Sequence, residues 1–151
     1  PAAATGHDVR GWGPVAPLFS SDKALHADCL GNLLPFPLAV GASSVFLPGR
    51  PTPDAVLETM RQHRPTIFGG VPTLYAGLLA NPFIGPGAGS DRLRRCISAG
   101  EALPADIGHR WKSMVGLDIL AGIGSTEMRH ILVSNRHDDI RHGHCGQPSH
   151  G

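Results

Sequence analysis

The sequence predicts an α/β fold built around a parallel β-sheet. From Leu33 onward, short apolar and β-branched runs alternate with segments in which apolar residues recur at helical spacing. The two kinds of segment follow one another in strict order, which is typical of parallel strands joined by right-handed helical crossovers. With 151 residues, the chain is long enough for one domain with its own core.

The first predicted strand covers residues 44–47, between Gly41 and the Pro48-Gly49 pair. A helix over residues 53–63 follows, because Thr52 is a suitable N-cap and Pro53 suits the first helical position. Residues 66–68 form the next predicted strand and residues 72–80 the next helix. The segment 81–90 is rich in Gly and Pro and is predicted to be a surface loop.

The second half of the chain continues the alternation. Residues 95–98 are predicted to be a strand, and the helix that starts at Pro104 should stop at Gly116. Residues 118–120 and 131–133 are the last two predicted strands. Residues 1–24 have no clear period. In such a sheet, ligands are expected at the carboxyl ends of the strands.

Composition narrows the range of partners. Charged residues make up 17% of the chain and the formal net charge is +1, so neither nucleic acid nor a membrane surface is the expected partner. The most apolar stretch, residues 33–40, is too short to span a bilayer. Three cysteines without a CxxC pair favour a reducing, cytoplasmic setting. A small-molecule partner fits best.

The first candidate loop is residues 98–104, Ser-Ala-Gly-Glu-Ala-Leu-Pro, between a predicted strand and a helix start. Small residues let a flat ligand approach the backbone, and a helix N-terminus offers free amides. The spacing alone still favours a plain strand-to-helix turn over a binding loop.

The second candidate loop is residues 122–128, Gly-Ile-Gly-Ser-Thr-Glu-Met. Glycines permit close backbone approach, hydroxyls can donate to phosphate oxygens, and a carboxylate can hold a hard divalent cation. The alternative is a helix cap formed by Ser125 or Thr126, with Glu127 as a first-turn acid. The segment lacks the Gly-Lys-Ser/Thr of a Walker A loop and the Gly-x-Ser-x-Gly of a nucleophile elbow.

Together the two loops resemble the adenylate-forming acyl-CoA synthetase superfamily, whose AMP-binding enzymes activate carboxylic acids with ATP. Residues 122–128 are similar to its Gly-x-x-Thr-Glu motif and residues 98–104 to its adenine loop. Several further segments are similar to the benzoate-CoA ligase group: residues 48–56, 70–76, 134–136 and 143–148. The resemblance implies a Rossmann-like subdomain of the N-terminal region of such a ligase, with residues 1–151 as part of the AMP-binding domain.

The resemblance also implies residue roles. Thr126 would contact the phosphate and Glu127 would bind Mg²⁺, with Ser98 and Ser125 also at the nucleotide. The backbone on either side of the adenine would come from Gly100, Glu101 and Ala102, and from Gly122 and Ile123. The acyl pocket would be formed by Ala27, Ala99, Gly124, His130 and Ile131. The co-substrates would be ATP, coenzyme A and an aromatic carboxylate, as in aromatic compound degradation, and the parent enzyme could be a homodimer.

Some positions depart from the family pattern. Ala121 stands where the family usually has an acid or amide for the adenine amino group. Asp28 and Cys29 replace an aromatic residue and a glycine, and His26 replaces an aromatic residue. The chain also opens without Met and ends on a turn-like segment. An internal fragment is therefore expected, with the phosphate loop before Pro1 and a lysine-bearing domain after Gly151, and the isolated chain is expected to be inactive.

Three other readings remain open on the sequence. A zinc site could be formed by histidines and a cysteine near the C-terminal end: His137, His142, His144, Cys145 and His150. A degenerate module could keep the fold and the nucleotide site without chemistry. An adenylation domain of a carrier-protein system is the third reading.

Overall fold

The structure is a computed structural model that describes residues 17–21, 33–87, 89–125, 130–136 and 138–148. Four helices and seven strands occur in these residues. The strands are β1 (Leu18–Ser20), β2 (Ser44–Val45), β3 (Ile67–Gly70), β4 (Arg95–Ser98), β5 (Ile119–Ser125), β6 (His130–Ser134) and β7 (Gln147–Pro148). The helices are α1 (Pro35–Ala39), α2 (Pro53–His63), α3 (Pro72–Leu79) and α4 (Ala105–Val115).

All seven strands join one sheet in the order β2-β1-β3-β4-β5-β6-β7. The pairs from β2 to β5 are parallel, as predicted. The last two pairs, β5 with β6 and β6 with β7, are antiparallel. The prediction of a parallel α/β fold is therefore confirmed, and a short antiparallel extension completes the sheet on one side.

The core lies on both faces of the sheet, as the alternation of side chains along a strand requires. Phe19, Phe68 and Cys96 point to the face covered by α2, α3 and α4. Leu18, Ile67 and Ile97 point to the other face, where they pack with Leu33 next to α1. Parallel strands buried on both faces explain why these runs are almost continuously apolar in the sequence.

The helix boundaries follow the predicted signals closely. Thr52 caps α2, since its Oγ1 accepts a hydrogen bond of 3.3 Å from the backbone N–H of Ala55. Gly116 ends α4 with a φ of 83°, a left-handed conformation that glycine adopts at little cost. Arg64 ends α2 at a φ of 46° and bonds through its guanidinium to Asp91. The pKa of Arg64 is raised chiefly by its hydrogen bond to Asp91.

Several predictions need correction. Residues 122–125, predicted as a loop, continue β5 as strand, because β6 supplies backbone partners along that side. Strand β2 is two residues long, where residues 44–47 were predicted. Strand β1 and helix α1 were not predicted: β1 lies in the segment without a clear period, and α1 has proline at its first helical position, where proline is tolerated. None of the helices in the described residues is long and apolar enough to cross a bilayer.

Candidate functional site

The two candidate segments lie at the same edge of the sheet. Strands β4 and β5 are parallel neighbours, with Ser98 opposite Ala121. Residues 99–102 therefore follow the carboxyl end of β4. Residues 122–125 extend β5 past Ala121, the residue opposite the end of β4. This is the edge at which open α/β sheets bind their ligands. Thr126 and Glu127 lie outside the described residues.

The segment after β4 forms a shallow, backbone-rich turn. Gly100 is exposed and has a φ of 88°, which a residue with a Cβ adopts only with strain. Glu101 and Ala102 are also exposed, whereas Ala99 and Leu103 are buried on either side of the turn. The buried pair anchors the turn and leaves the backbone of residues 100–102 accessible to a flat ligand.

Ser98 ends β4 with an unusual hydroxyl. The residue is 1% exposed, and its Oγ has no hydrogen-bond partner among the residues that the structure describes. A buried hydroxyl without a partner loses the hydrogen bond that it makes with water. At the sheet edge where the nucleotide is predicted to bind, the Ser98 hydroxyl could therefore still form a hydrogen bond with a ligand.

The second segment is the end of β5. Gly122 is buried, while Ile123 is 51% exposed and Gly124 is also exposed. The register between β5 and β6 shifts between Ile123 and Gly124, so the ladder is irregular at that point. Such irregularities re-aim a strand end and are common next to active sites. The last residues of β5 therefore present mainly backbone at the edge.

Asn135 holds the backbone of β5 at Ala121 through two hydrogen bonds, although it was not among the predicted site residues. The backbone N–H of Ala121 donates to Asn135 Oδ1 at 3.0 Å, and the N–H of Asn135 donates to the Ala121 carbonyl at 3.0 Å. Ala121 itself is 6% exposed and has no polar side-chain atom to offer an adenine amino group. The sequence offered one sign of it, since Asn135 lies in the polar segment 134–136 directly after the apolar run 131–133.

The predicted acyl-pocket residues are only partly described. Ala99 and Gly124 lie at the carboxyl edge, one buried and one exposed. Ile131 is 2% exposed and packs over Gly122, opposite Gly124 in the ladder. His130 pairs with Ser125 through the β5–β6 ladder. Ala27 lies outside the described residues, together with His26, Asp28 and Cys29.

The histidines predicted as zinc ligands do not come together within the described part of the chain. No group of three or more His, Cys, Asp or Glu side chains there is placed to hold a metal ion. His142 instead packs over Gly108, with its ring centroid 4.5 Å from that of His109 and its Nε2 3.5 Å from Asp118 Oδ1. His137 and His150 lie outside the described residues.

The cysteine in β4 belongs to the core. Cys96 is fully buried near Tyr75 and Trp111, whose rings pack edge to face with centroids 4.8 Å apart. Burial raises the pKa of the Cys96 thiol to about 12, and burial also raises the pKa of Tyr75 well above its ordinary value. A thiol that stays protonated in a closed core is not a nucleophile.

Two open depressions lie at the opposite, amino edge of the sheet. One of about 400 Å³ is lined by residues around Arg64 and Phe83, and one of about 190 Å³ by residues around Arg95 and Lys112. Neither of these two depressions contains a residue of the predicted site.

A mainly parallel α/β sheet with two backbone-rich segments side by side on its carboxyl edge is the architecture of a nucleotide-binding domain. The profile of the AMP-binding enzyme family matches residues 25–151. The chain therefore belongs to the AMP-binding enzyme family.

Among individual proteins, the chain is similar to ligases that join aromatic acids to coenzyme A. The chain is 58% identical over 131 residues to the benzoate–CoA ligase of Thauera aromatica. The alignment covers 87% of this chain and 25% of that protein. It is 46% identical over 134 residues to a 4-hydroxybenzoate–CoA/benzoate–CoA ligase of Rhodopseudomonas palustris, covering 89% of this chain and 25% of that protein. The chain thus spans about a quarter of the length of these relatives.

Solved structures show the same likeness. A benzoate CoA ligase from Burkholderia xenovorans LB400 superposes with a TM-score of 0.91 at 45% identity, covering 95% of this chain and 29% of that one. The anthranilate CoA ligase AuaEII, solved with anthranoyl-AMP, superposes with a TM-score of 0.93 at 40% identity, covering 99% of this chain and 29% of that one. The fold of the chain is therefore that of adenylate-forming CoA ligases.

Proposed function

We propose that this chain is part of an ATP-dependent aromatic-acid–CoA ligase of the benzoate type. In the first half-reaction the carboxylate of the acid attacks the α-phosphate of ATP, which forms an acyl adenylate and releases pyrophosphate. In the second, the thiol of coenzyme A attacks the acyl carbon, loses its proton and displaces AMP. The observation that carries the proposal is the 58% identity to a benzoate–CoA ligase over 131 residues that include both candidate segments.

The nucleotide would lie across the carboxyl edge between β4 and β5. Gly100, Glu101 and Ala102 would line one side of the adenine, and Gly122 and Ile123 the other. This assignment is supported by the exposure of residues 100–102 and of Ile123, and by the parallel register of the two strands. Backbone donors suit this reaction, because positioning and charge stabilisation contribute more than a protein nucleophile.

The phosphate and metal roles would fall to Ser98 at the end of β4 and to residues 125–127. Ser98, Ser125 and Thr126 would offer hydroxyls to the nucleotide, and Glu127 would coordinate Mg²⁺. The proposal for Ser98 is supported by its buried hydroxyl, which lacks a partner among the described residues. A carboxylate suits Mg²⁺ because hard cations prefer oxygen ligands. The cation would neutralise phosphate charge during adenylation.

The aromatic ring of the acid would lie against Ala27, Ala99, Gly124, His130 and Ile131. Ala99 and Gly124 support this assignment, since small residues at the strand edge leave room for a planar ring. We further propose a cytoplasmic enzyme of aromatic compound degradation that can form a homodimer. The cytoplasmic setting is supported by the free thiols of Cys96 and Cys145 in the described part of the chain.

The chain would be one part of the ligase. The phosphate-gripping loop and the lysine-bearing mobile domain of such an enzyme would be supplied by other segments of the full-length protein. This proposal is supported by the share of the relatives that the chain spans, about a quarter.

The test is product formation by the full-length protein. Incubation with benzoate, ATP, Mg²⁺ and coenzyme A should yield benzoyl-CoA and AMP in equal amounts, with each product dependent on benzoate. A degenerate module of the same fold predicts a different result. Nucleotide binding without any acyl-CoA, tested over a panel of substituted benzoates, would refute the ligase proposal and support that module.

A further inference from the structure

Asn135 lies directly after β6 at the point where the chain turns away from the sheet. It is 2% exposed, although a side-chain amide is polar on both of its ends. Buried polar groups need hydrogen-bond partners, and Asn135 has one at each end of the amide. Asn135 bonds to Ala121, and the next residue of β5, Gly122, is part of the proposed adenine-binding backbone.

One end of the amide replaces a missing strand partner. In a hydrogen-bonded pair of an antiparallel ladder, the two opposite residues exchange two backbone hydrogen bonds. Here the N–H of Asn135 donates to the Ala121 carbonyl at 3.0 Å, but the Ala121 N–H donates to the side-chain Oδ1 at 3.0 Å. The Asn135 carbonyl instead accepts from Ser134 Oγ at 3.0 Å. The side chain therefore completes the ladder where β6 ends.

The other end of the amide holds a turn. Asn135 Nδ2 donates to the backbone carbonyl of His144 at 3.2 Å. Because the Ala121 N–H can only donate, the amide must present its oxygen to β5 and its nitrogen to His144. The turn then reaches Gly146, whose φ is 87° and whose Cα packs against the Ser134 carbonyl without room for a side chain. One amide thus joins β5 to the returning chain.

This bridge matters because the ladder beyond it is irregular. The register of β5 against β6 shifts between Ile123 and Gly124, just beyond the proposed adenine contacts. The regular β5–β6 pairing that holds the backbone of Gly122 and Ile123 in place is therefore short. Asn135 forms the last pair of this stretch, at Ala121. Loss of the bridge would leave a buried N–H at Ala121 without an acceptor.

We propose that Asn135 is a positioning residue for the nucleotide: its amide clamps β5 at Ala121, and thereby holds the backbone of Gly122 and Ile123 against the adenine. The inference rests on the proposed ligase function. Asn135 does not itself contact substrate, and it acts through the backbone of β5.

The first test uses Asn135→Ala in the full-length ligase. The KM for ATP should rise at least about fivefold, in keeping with an orphaned buried N–H, while the KM for coenzyme A stays unchanged. Ser90→Ala is the matched control. It also removes two side-chain bonds to backbone, far from the proposed site: Ser90 Oγ donates to the Pro65 carbonyl at 2.7 Å and accepts from the Arg92 N–H at 3.3 Å. It should lower stability similarly and leave both KM values unchanged.

The second test uses Asn135→Asp and the pH. A protonated aspartic acid can accept from Ala121 and donate to His144, which restores both bonds. The ionised form repels the His144 carbonyl, and burial raises the pKa of this acid above its ordinary value of about 3.9. The KM for ATP of Asn135→Asp should therefore approach that of the wild type at low pH and rise several-fold as the pH increases, with one inflection absent from the wild type.

The outcomes separate the two levels of the argument. An active wild type in which both Asn135 variants behave like Ser90→Ala would overturn the positioning role alone. A wild type without aromatic-acid-dependent activity would overturn the ligase function and the positioning role with it. If Asn135→Ala fails to fold, Asn135→Asp at low pH decides, because its two bonds are intact there.

Discussion

Gly122 offers a sharp test of how tightly the end of β5 is packed. A Cβ added at this position would lie 2.9 Å from Ile131 Cδ1, 3.0 Å from Ile131 Cγ2 and 3.4 Å from the Val133 carbonyl oxygen. Ile131 is 2% exposed, so it has little room to move away. The substitution Gly122→Ala should therefore strain the packing between β5 and β6.

The size of the effect follows from two opposing contributions. Overpacking a buried site costs typically about 1–3 kcal/mol. Replacing glycine by alanine where the backbone allows it gains about 0.4–1 kcal/mol, because the unfolded chain has less freedom to lose. The expected net loss of unfolding free energy for Gly122→Ala is therefore about 0–2.6 kcal/mol. The KM for ATP of the full-length ligase should rise as well, since the proposed adenine contact moves.

Urea denaturation measures the stability change, and Gly49→Ala is the matched control. Gly49 is exposed, and a Cβ there would meet nothing within 4 Å, so this variant should be neutral or slightly more stable. Adding Ile131→Val removes the Cδ1 contact, so the double variant should be more stable than the sum of the single effects. Gly122→Ala as stable as Gly49→Ala, with no coupling to Ile131, would refute the packing argument.

Three further predictions concern the metal role of Glu127, the activity of the isolated chain and the pH dependence of stability. Glu127→Gln in the full-length ligase should abolish benzoate-dependent exchange of pyrophosphate into ATP, because Mg²⁺ loses a charged ligand. The 151-residue chain alone should form no benzoyl-CoA above a no-protein control, since it spans about a quarter of its relatives. The pKa of Cys96 is raised to about 12, so its neutral thiol stabilises the fold fully below about pH 8.5. That stability should be lost as the pH rises towards 12, by about 1.4 kcal/mol per pH unit more than in Cys96→Ala.

Each of these has a contradicting outcome. An unchanged exchange rate in Glu127→Gln would remove the metal role from that carboxylate. Benzoyl-CoA made by the isolated chain, free of host ligases, would show that the chain carries the whole site. Equal pH slopes for wild type and Cys96→Ala in alkaline urea titrations would mean that the thiol has the same pKa in the folded and the unfolded chain.

The sequence was most informative where local chemistry decides the structure. Thr52 and Pro53 marked the start of α2, and Gly116 marked the end of α4, because caps and stops depend on a few neighbouring residues. The two candidate segments were also recognisable before any fold was known. Strict strand-and-helix alternation then placed both on one edge of the sheet, and the parallel β4–β5 pair confirms that placement.

Long-range pairing accounts for what the sequence did not reveal. β1 is three residues long, and its place between β2 and β3 is set by partners distant in the chain. Residues 122–125 looked like a loop because Gly-Ile-Gly-Ser has little strand propensity, yet β6 supplies backbone partners for it. The role of Asn135 depends on Ala121 and His144, which are adjacent only in the folded chain.

The proposed position of the adenylate is between residues 100–102 and residues 122–123, at the carboxyl edge of β4 and β5. A crystal structure of the full-length protein with a benzoyl-sulfamoyl-adenosine inhibitor tests this most directly, because the inhibitor mimics the acyl adenylate. We expect the adenine to lie between these two stretches of backbone, with the benzoyl ring against Ala99 and Gly124. An adenine bound elsewhere, such as in the amino-edge depression beside Arg95 and Lys112, would contradict it.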